Sequence, residues 1–221
     1  MKRWISAIML LVLLFGLAAC GSSASAPEPK TDGSAEQMPS ESVSFGNALT
    51  IYFAVAENSD VDAASSASVL PGTDTGYTKA VADMISGCVG GETYSVQTES
   101  DYPGEYDPLT EVALDEQKAN ERPAVAGSTE ALADSDTVFV VMPVWWGDIP
   151  MPMYTFFENN DFSGKTVVVF ITHYGSRFGR CVQTVESLLP DATVVEGLAI
   201  NQNNVSGAES DVIARLQELG Y

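Results

Sequence analysis

Three short stretches of the chain carry side chains and backbone suited to a flat, anionic ligand. The first is Thr73-Asp74-Thr75-Gly76-Tyr77-Thr78-Lys79, which opens straight into a helical pattern. Hydroxyls and backbone N–H groups at a helix N-terminus hold an anion without Arg or Lys. The spacing is not that of a Walker loop, since G-x-x-x-x-G-K-[ST] is absent, and simple helix capping accounts for T-G-x-T equally well. The second stretch is Pro143-Val144-Trp145-Trp146-Gly147-Asp148-Ile149-Pro150. Successive side chains cannot both point inward, so at least one indole is expected on the surface of a cleft, where it would cover an aromatic ligand. Packing of both rings under the next helix is the alternative. The third is Thr172-His173-Tyr174-Gly175-Ser176-Arg177-Phe178-Gly179-Arg180. Its glycines permit positive φ and let backbone N–H groups approach a ligand. His173 is the sole histidine, a candidate for proton transfer or for a structural role. Ser176 does not sit in G-x-S-x-G and has no second histidine as partner, which excludes an α/β-hydrolase triad.

These stretches follow apolar runs of strand length. Leu49–Val55, Thr137–Met142 and Lys165–Thr172 read as buried strands, Glu92–Gln97 as a less apolar one, and Thr193–Ile200 as a fifth. Between them, helical spacing runs over Thr78–Ile85 (with Gly87 as a stop), Pro108–Glu121, Met151–Glu158, Phe178–Leu189 and Ser210–Leu219. Pro150 and Pro152 are compatible with a helix only in its first turn. Strand and helix thus alternate five times, which implies an α/β fold: a doubly wound, five-stranded parallel sheet with helices on both faces. Ligands of such sheets bind beyond the carboxyl ends of the strands, placing the site after Val55, Met142 and Thr172.

The amino-terminal part reads differently. Lys2 and Arg3 precede an apolar run from Ile5 to Ala19, shorter than the ~20 residues that span a bilayer. This layout is that of a secretion signal. Leu17-Ala18-Ala19-Cys20 resembles the lipobox of bacterial lipoproteins, in which the chain is cut before the cysteine and its thiol is acylated. Residues 1–19 are therefore expected to be a signal peptide. Residues 20–45, rich in Ser, Ala, Pro, Glu and Gly, form a solvated tether behind a lipidated Cys20, because they lack the apolar surface to offset ordering entropy. An incidental cysteine after an ordinary signal is the other reading. Residues 46–221 make the domain.

The 221 residues carry 10 Lys+Arg against 30 Asp+Glu; without Lys2 and Arg3 the balance is 8 against 30. No basic stripe exists for a nucleic-acid backbone, and that partner is excluded. Contact with a membrane is expected through the lipid anchor only. Cys88 and Cys181 lie far apart with no CxxC or Cys/His spacing, so neither a zinc site nor a thiol redox centre is expected. Whether the two form a disulfide stays open.

Taken in order, Thr75-Gly76-Tyr77-Thr78, Tyr102-Pro103 with Tyr106-Asp107, Arg122-Pro123, Pro143-Val144-Trp145-Trp146-Gly147, Phe162-Ser163-Gly164-Lys165-Thr166, and Thr172-His173 with Gly175-Ser176 and Phe178-Gly179 resemble the flavodoxin-like family over 48–221. The likeness is to its exported subgroup with a Trp-Trp-Gly second loop. The resemblance implies strand order 2-1-3-4-5 and FMN as cofactor. It places the phosphate at Thr75, Gly76, Tyr77 and Thr78. The flavin ring would lie between Pro143, Val144, Trp145, Trp146 and Gly147 on one side and Thr172, His173, Tyr174 and Gly175 on the other. It implies electron transfer or flavin-dependent reduction outside the cytoplasm, with a redox partner or a small electron acceptor. The surplus of carboxylates would disfavour further negative charge on a bound flavin and lower its potential.

The chain departs from the pattern in two places. Where relatives carry Ser or Thr directly after the first strand, it has Ala54-Val55-Ala56-Glu57, and Asn58–Asp74 is inserted before T-G-x-T. One phosphate-binding hydroxyl is then missing, which is worth ~1.5–3 kcal/mol, and an inward Glu57 would repel a phosphate. In the third loop, Tyr174 and Arg177 stand where relatives carry a smaller or acidic residue and a glycine. A flavodoxin fold that has lost FMN and serves as a binding module is the competing expectation.

Overall fold

The computed structural model describes residues 47–59 and 69–221. The expected signal peptide, Cys20 with its expected tether, and the middle of the Asn58–Asp74 insertion lie outside the described residues.

The elements run β1 (Ala48–Tyr52), α1 (Tyr77–Val89), β2 (Glu92–Ser95), α2 (Tyr106–Ala119), β3 (Thr137–Pro143), α3 (Met151–Asn159), β4 (Thr166–His173), α4 (Cys181–Leu188), β5 (Thr193–Asn201) and α5 (Glu209–Glu218). All five strands are parallel, in the order β2-β1-β3-β4-β5. Hence the chain reverses its direction of winding next to β1, between β1 and β3. Register carries β3 and β4 past β1: Tyr52 pairs with Val141, while Pro143 pairs with Thr172.

The strands are near-continuous in apolar residues because both faces of the sheet are covered. Leu49, Ile51, Val138, Val140, Val167 and Val169 face one layer, built by Leu109 of α2, Phe156 of α3 and Val185 of α4. Tyr52, Phe139, Val141, Val168 and Phe170 face the other, where Val81 and Ile85 of α1 and Val212 and Leu216 of α5 close the core. Each run alternates between two dry faces, and no solvent-facing side remains to break it with polar residues.

Several boundaries differ from those the sequence suggests. The β1 ladder stops at Tyr52, and Val55–Glu57 turn into a short 3-10 helix. Helix α1 runs through Gly87 to Val89, because buried Ile85 and Val89 hold that last turn, and it ends at Gly90 with φ +73°. Helix α4 starts at Cys181 rather than Phe178, since Gly179 takes φ +53°. A two-residue antiparallel pairing of Gln97–Thr98 with Val125–Ala126 and a helical turn at Ala131–Asp134 have no counterpart in the expectations. Cys88 is exposed and Cys181 buried, both as free thiols, and burial pushes the Cys181 thiol up to about 12. Among the described residues no His/Cys/Asp/Glu cluster could hold a metal ion, and no helix is long and apolar enough to cross a membrane.

Candidate functional site

A cavity of about 570 Å³ opens at the carboxyl ends of β1, β3 and β4, where the winding reverses. Tyr77 and Thr78 line it from the start of α1, and Pro143, Val144, Trp145, Trp146 and Gly147 from the second loop. Thr172, His173, Tyr174, Gly175 and Ser176 line it from the third. Val55 contributes from the end of the first strand region. Thr75 and Gly76, also expected there, are not among the lining residues. The Thr75 N–H donates to Thr73 Oγ1 (3.1 Å), its carbonyl accepts from the Leu70 N–H (2.9 Å), and Gly76 is the N-cap of α1.

Part of the lining is polar. Gly76 offers no side-chain cap, and the first turn of α1 holds no acidic residue, so the positive end of the helix dipole is left uncompensated by side chains. Beside it the Thr78 and Thr172 hydroxyls meet at 3.2 Å, both residues buried. One hydroxyl spends its hydrogen on the other, which leaves one donor for a ligand. Lys79 is turned outward onto Asp83 (2.7 Å).

The first loop keeps its polar groups for itself. Glu57 accepts from the Tyr52 hydroxyl (3.0 Å) and from Ser95, and its carboxylate does not line the cavity. Burial, reinforced by Glu57, pushes the Tyr52 phenol up to about 12 and keeps it a donor. Buried Asn58 donates to the carbonyls of Ala54 (2.9 Å) and Val96 (3.0 Å) and accepts from the Thr98 N–H (2.7 Å) and hydroxyl (3.1 Å).

Another part of the lining is aromatic. Trp145 and Asp148 exchange two backbone hydrogen bonds (2.8 and 3.0 Å) around Trp146 at φ +49° and Gly147 at φ +81°, which makes a type I′ turn. Glycine suits the second position. At the first, the left-handed conformation costs a side-chain-bearing residue roughly 1–2 kcal/mol and persists only where the surroundings over-determine it. The turn divides the two indoles. Trp145 packs edge-on against Phe53 (5.6 Å) and Tyr102 (5.3 Å), whereas Trp146 stays 53% exposed on the cavity wall. The Trp146 Nε1 donates to the Thr110 carbonyl of α2 (2.9 Å). Tyr174, 73% exposed, stands in the third loop.

The second and third loops are joined. The Arg180 N–H donates to the Gly147 carbonyl (2.8 Å), and a Cβ at Gly179 would lie 2.4 Å from that oxygen. Gly179 and Arg177, both at φ +53°, are the left-handed residues of the third loop; Gly175 is not one of them. Burial lowers the His173 imidazole, opposed by the Ala199 carbonyl and assisted by the Arg177 charge, so the ring is neutral at pH 7.

Seven lining residues were not among those expected to hold the ligand: Tyr106, Leu109, Thr110 and Ala113 of α2, Val55 after β1, Ser176 of the third loop, and Gln202 after β5. The first four follow the i, i+3, i+4, i+7 spacing of one helical face, a signal hidden by starting that helix at Pro108. Gln202 carries no local signal beyond its place at a strand end.

The flavodoxin family model matches residues 69–215. Among solved structures, a protein from Bacteroides eggerthii assigned as a flavoprotein is 26% identical, with a TM-score of 0.55 over 76% of this chain and 98% of its own. Another from Bacteroides uniformis is 24% identical, with a TM-score of 0.59 over 78% and 98%. A flavoprotein from Lactobacillus acidophilus in complex with FMN is 16% identical, with a TM-score of 0.51 over 75% and 99%, a likeness of fold. No curated protein matches the chain.

Proposed function

The chain belongs to the flavodoxin family, and from that premise we propose that it binds FMN and passes electrons outside the cytoplasm, held to a membrane by a lipidated Cys20. The observation that carries the reading is one cavity lined both by an uncapped helix N-terminus with buried hydroxyls and by a pair of exposed aromatic rings. These residues fit the group. The first turn of α1 with Thr78 and Thr172 would hold the phosphate, Thr75 acting through the turn that places Gly76. Pro143, Val144, Trp145, Trp146 and Gly147 would flank the ring on one side and His173, Tyr174 and Gly175 on the other. The fold-level likeness to a flavoprotein in complex with FMN supports the assignment.

Bound FMN supplies one- and two-electron transfer, and the protein tunes it through packing, hydrogen bonds and charge. Here Trp146 and Tyr174 would shield its flat faces from water, and neutral His173 would add no charge at pH 7. The acidic balance of the chain, −20, would disfavour further negative charge in the cavity, most strongly at low ionic strength. A carrier needs only an exposed cofactor edge and a docking surface; a reductase also uses a small acceptor. Bleaching of the bound cofactor by NAD(P)H separates the two.

The test is fluorescence titration of FMN into the purified chain, with an absorption spectrum of the protein as isolated. Quenching near micromolar FMN, or a yellow protein from the start, is expected. No binding at tens of micromolar would favour a binding module on a flavodoxin fold, the reading to which the inward-bonded first loop lends weight. For the anchor, Cys20→Ser is expected to abolish metabolic labelling with palmitate and release the chain from membranes. Retention of label would refute lipidation at that thiol.

A further inference from the structure

The left-handed Trp146 needs something to hold it, and the surrounding hydrogen bonds converge on one side chain. Asp148, the last residue of the turn, has a side chain only 6% exposed. Its Oδ1 accepts from the Ile149 N–H (2.9 Å) and the Thr184 hydroxyl (2.7 Å). Its Oδ2 accepts from the Tyr154 hydroxyl (3.2 Å) and Arg180 Nη2 (3.0 Å). The donors come from its own loop, from α3, from the third loop and from α4. Arg180 grips the turn twice, through its guanidinium on Asp148 and through its backbone N–H on the Gly147 carbonyl. Because the Arg180 side chain is 70% exposed, its ion pair is weakened by water, and the neutral donors carry much of the hold. The four donors hold the Asp148 carboxylate while its backbone exchanges two hydrogen bonds with Trp145, so side chain and main chain constrain the turn together.

We infer that Asp148 is the positioning residue of the cavity: by fixing the Trp145–Asp148 turn in its left-handed form, it places the Trp146 ring on the wall and sets its indole N–H against the Thr110 carbonyl. Asp148 does not line the cavity and touches no ligand there; it acts through Trp146. Its consequence for affinity rests on the FMN reading, whereas its consequence for Trp146 does not.

The experiment follows the Trp146 indole N–H in the ¹⁵N-labelled full chain, assigned with Trp146→Phe, and measures FMN affinity in the same proteins. In the native chain the indole proton is expected to exchange slowly. Asp148→Ala, which leaves four donors without an acceptor, should speed that exchange at least ~10-fold and weaken FMN binding by about tenfold. Asp148→Asn keeps the bonds to Ile149 and Thr184 but cannot accept from Arg180, and should show the same changes at roughly a third of the size. Thr184→Val removes one donor without altering charge and serves if Asp148→Ala does not fold. In a Trp146→Gly background, where the left-handed position is relaxed and the ring absent, the Asp148 substitutions should no longer alter affinity. Unchanged indole exchange in a folded Asp148→Ala or Thr184→Val protein would overturn the inference, as would an affinity loss that persists in Trp146→Gly. If the native chain binds no FMN, the exchange measurement alone decides, and the failure belongs to the FMN reading.

Discussion

The first and second loops leave neighbouring strands of one sheet and both bond polar side chains into the framework, but only the second carries an exposed aromatic ring onto the cavity. After β1, Glu57 and Asn58 are bonded into the framework by Tyr52, Ser95, Thr98 and the carbonyls of Ala54 and Val96. After β3, the buried Asp148 turns the backbone outward and leaves Trp146 on the cavity. The first loop therefore stabilises the domain, and the second shapes the site. The polar lining comes from the helix terminus and two hydroxyls, and the aromatic lining from side chains of the later loops. Affinity for a flat ligand should accordingly depend more on the aromatic wall than on the loop after β1.

That contrast can be broken or sharpened by substitution. The largest effect is expected from Gly179→Ala, where a Cβ would strike the Gly147 carbonyl and φ is positive. It should cost about 3–4 kcal/mol in urea unfolding and part the second loop from the third; a loss under 1 kcal/mol would show that the loops yield easily. Asn58→Ala strands two carbonyls and an N–H in a buried place and should cost about 2–3 kcal/mol. FMN affinity per folded molecule should stay within about twofold. A tenfold loss would erase the division between the loops. Tyr174→Ala should do the reverse, leaving unfolding almost unchanged for so exposed a ring while weakening FMN about fivefold.

The smallest effect concerns protonation. Burial holds His173 below its ordinary 6.5, so on acidification the unfolded chain takes up that proton first. Its contribution to stability is full above pH 6.5 and is lost as pH falls through the lower folded value, at no more than about 1.4 kcal/mol per pH unit. Replacing it by His173→Gln should flatten that part of the urea-midpoint profile. An unchanged slope would assign the acid limb to carboxylates.

The strands and their order were legible because burial on both faces writes itself as unbroken Val, Ile and Phe runs at Thr137–Met142 and Lys165–Thr172, and because helices between them force parallel pairing. The cavity's place followed from that winding rule, and the adjacent tryptophans gave the expectation that at least one ring is exposed. Which ring could not be read, since the choice depends on Asp148 meeting Thr184 and Tyr154 in space. The fate of Glu57 was hidden for the same reason: nothing adjacent in sequence reveals Ser95 or Tyr52 as its partners. The α2 wall was missed through a boundary two residues late.

The parallel order also dictates when this cavity can exist. β1 sits between strands that begin at Glu92 and Thr137, and the third loop follows a strand that ends at His173. No hairpin links any two neighbours in the main sheet, so each pairing waits for a helix to cross over, a connectivity that slows folding relative to local contacts. The cavity therefore cannot exist before the strands ending at Tyr52, Pro143 and His173 have paired, and any ligand it takes meets a folded sheet rather than a local segment of chain.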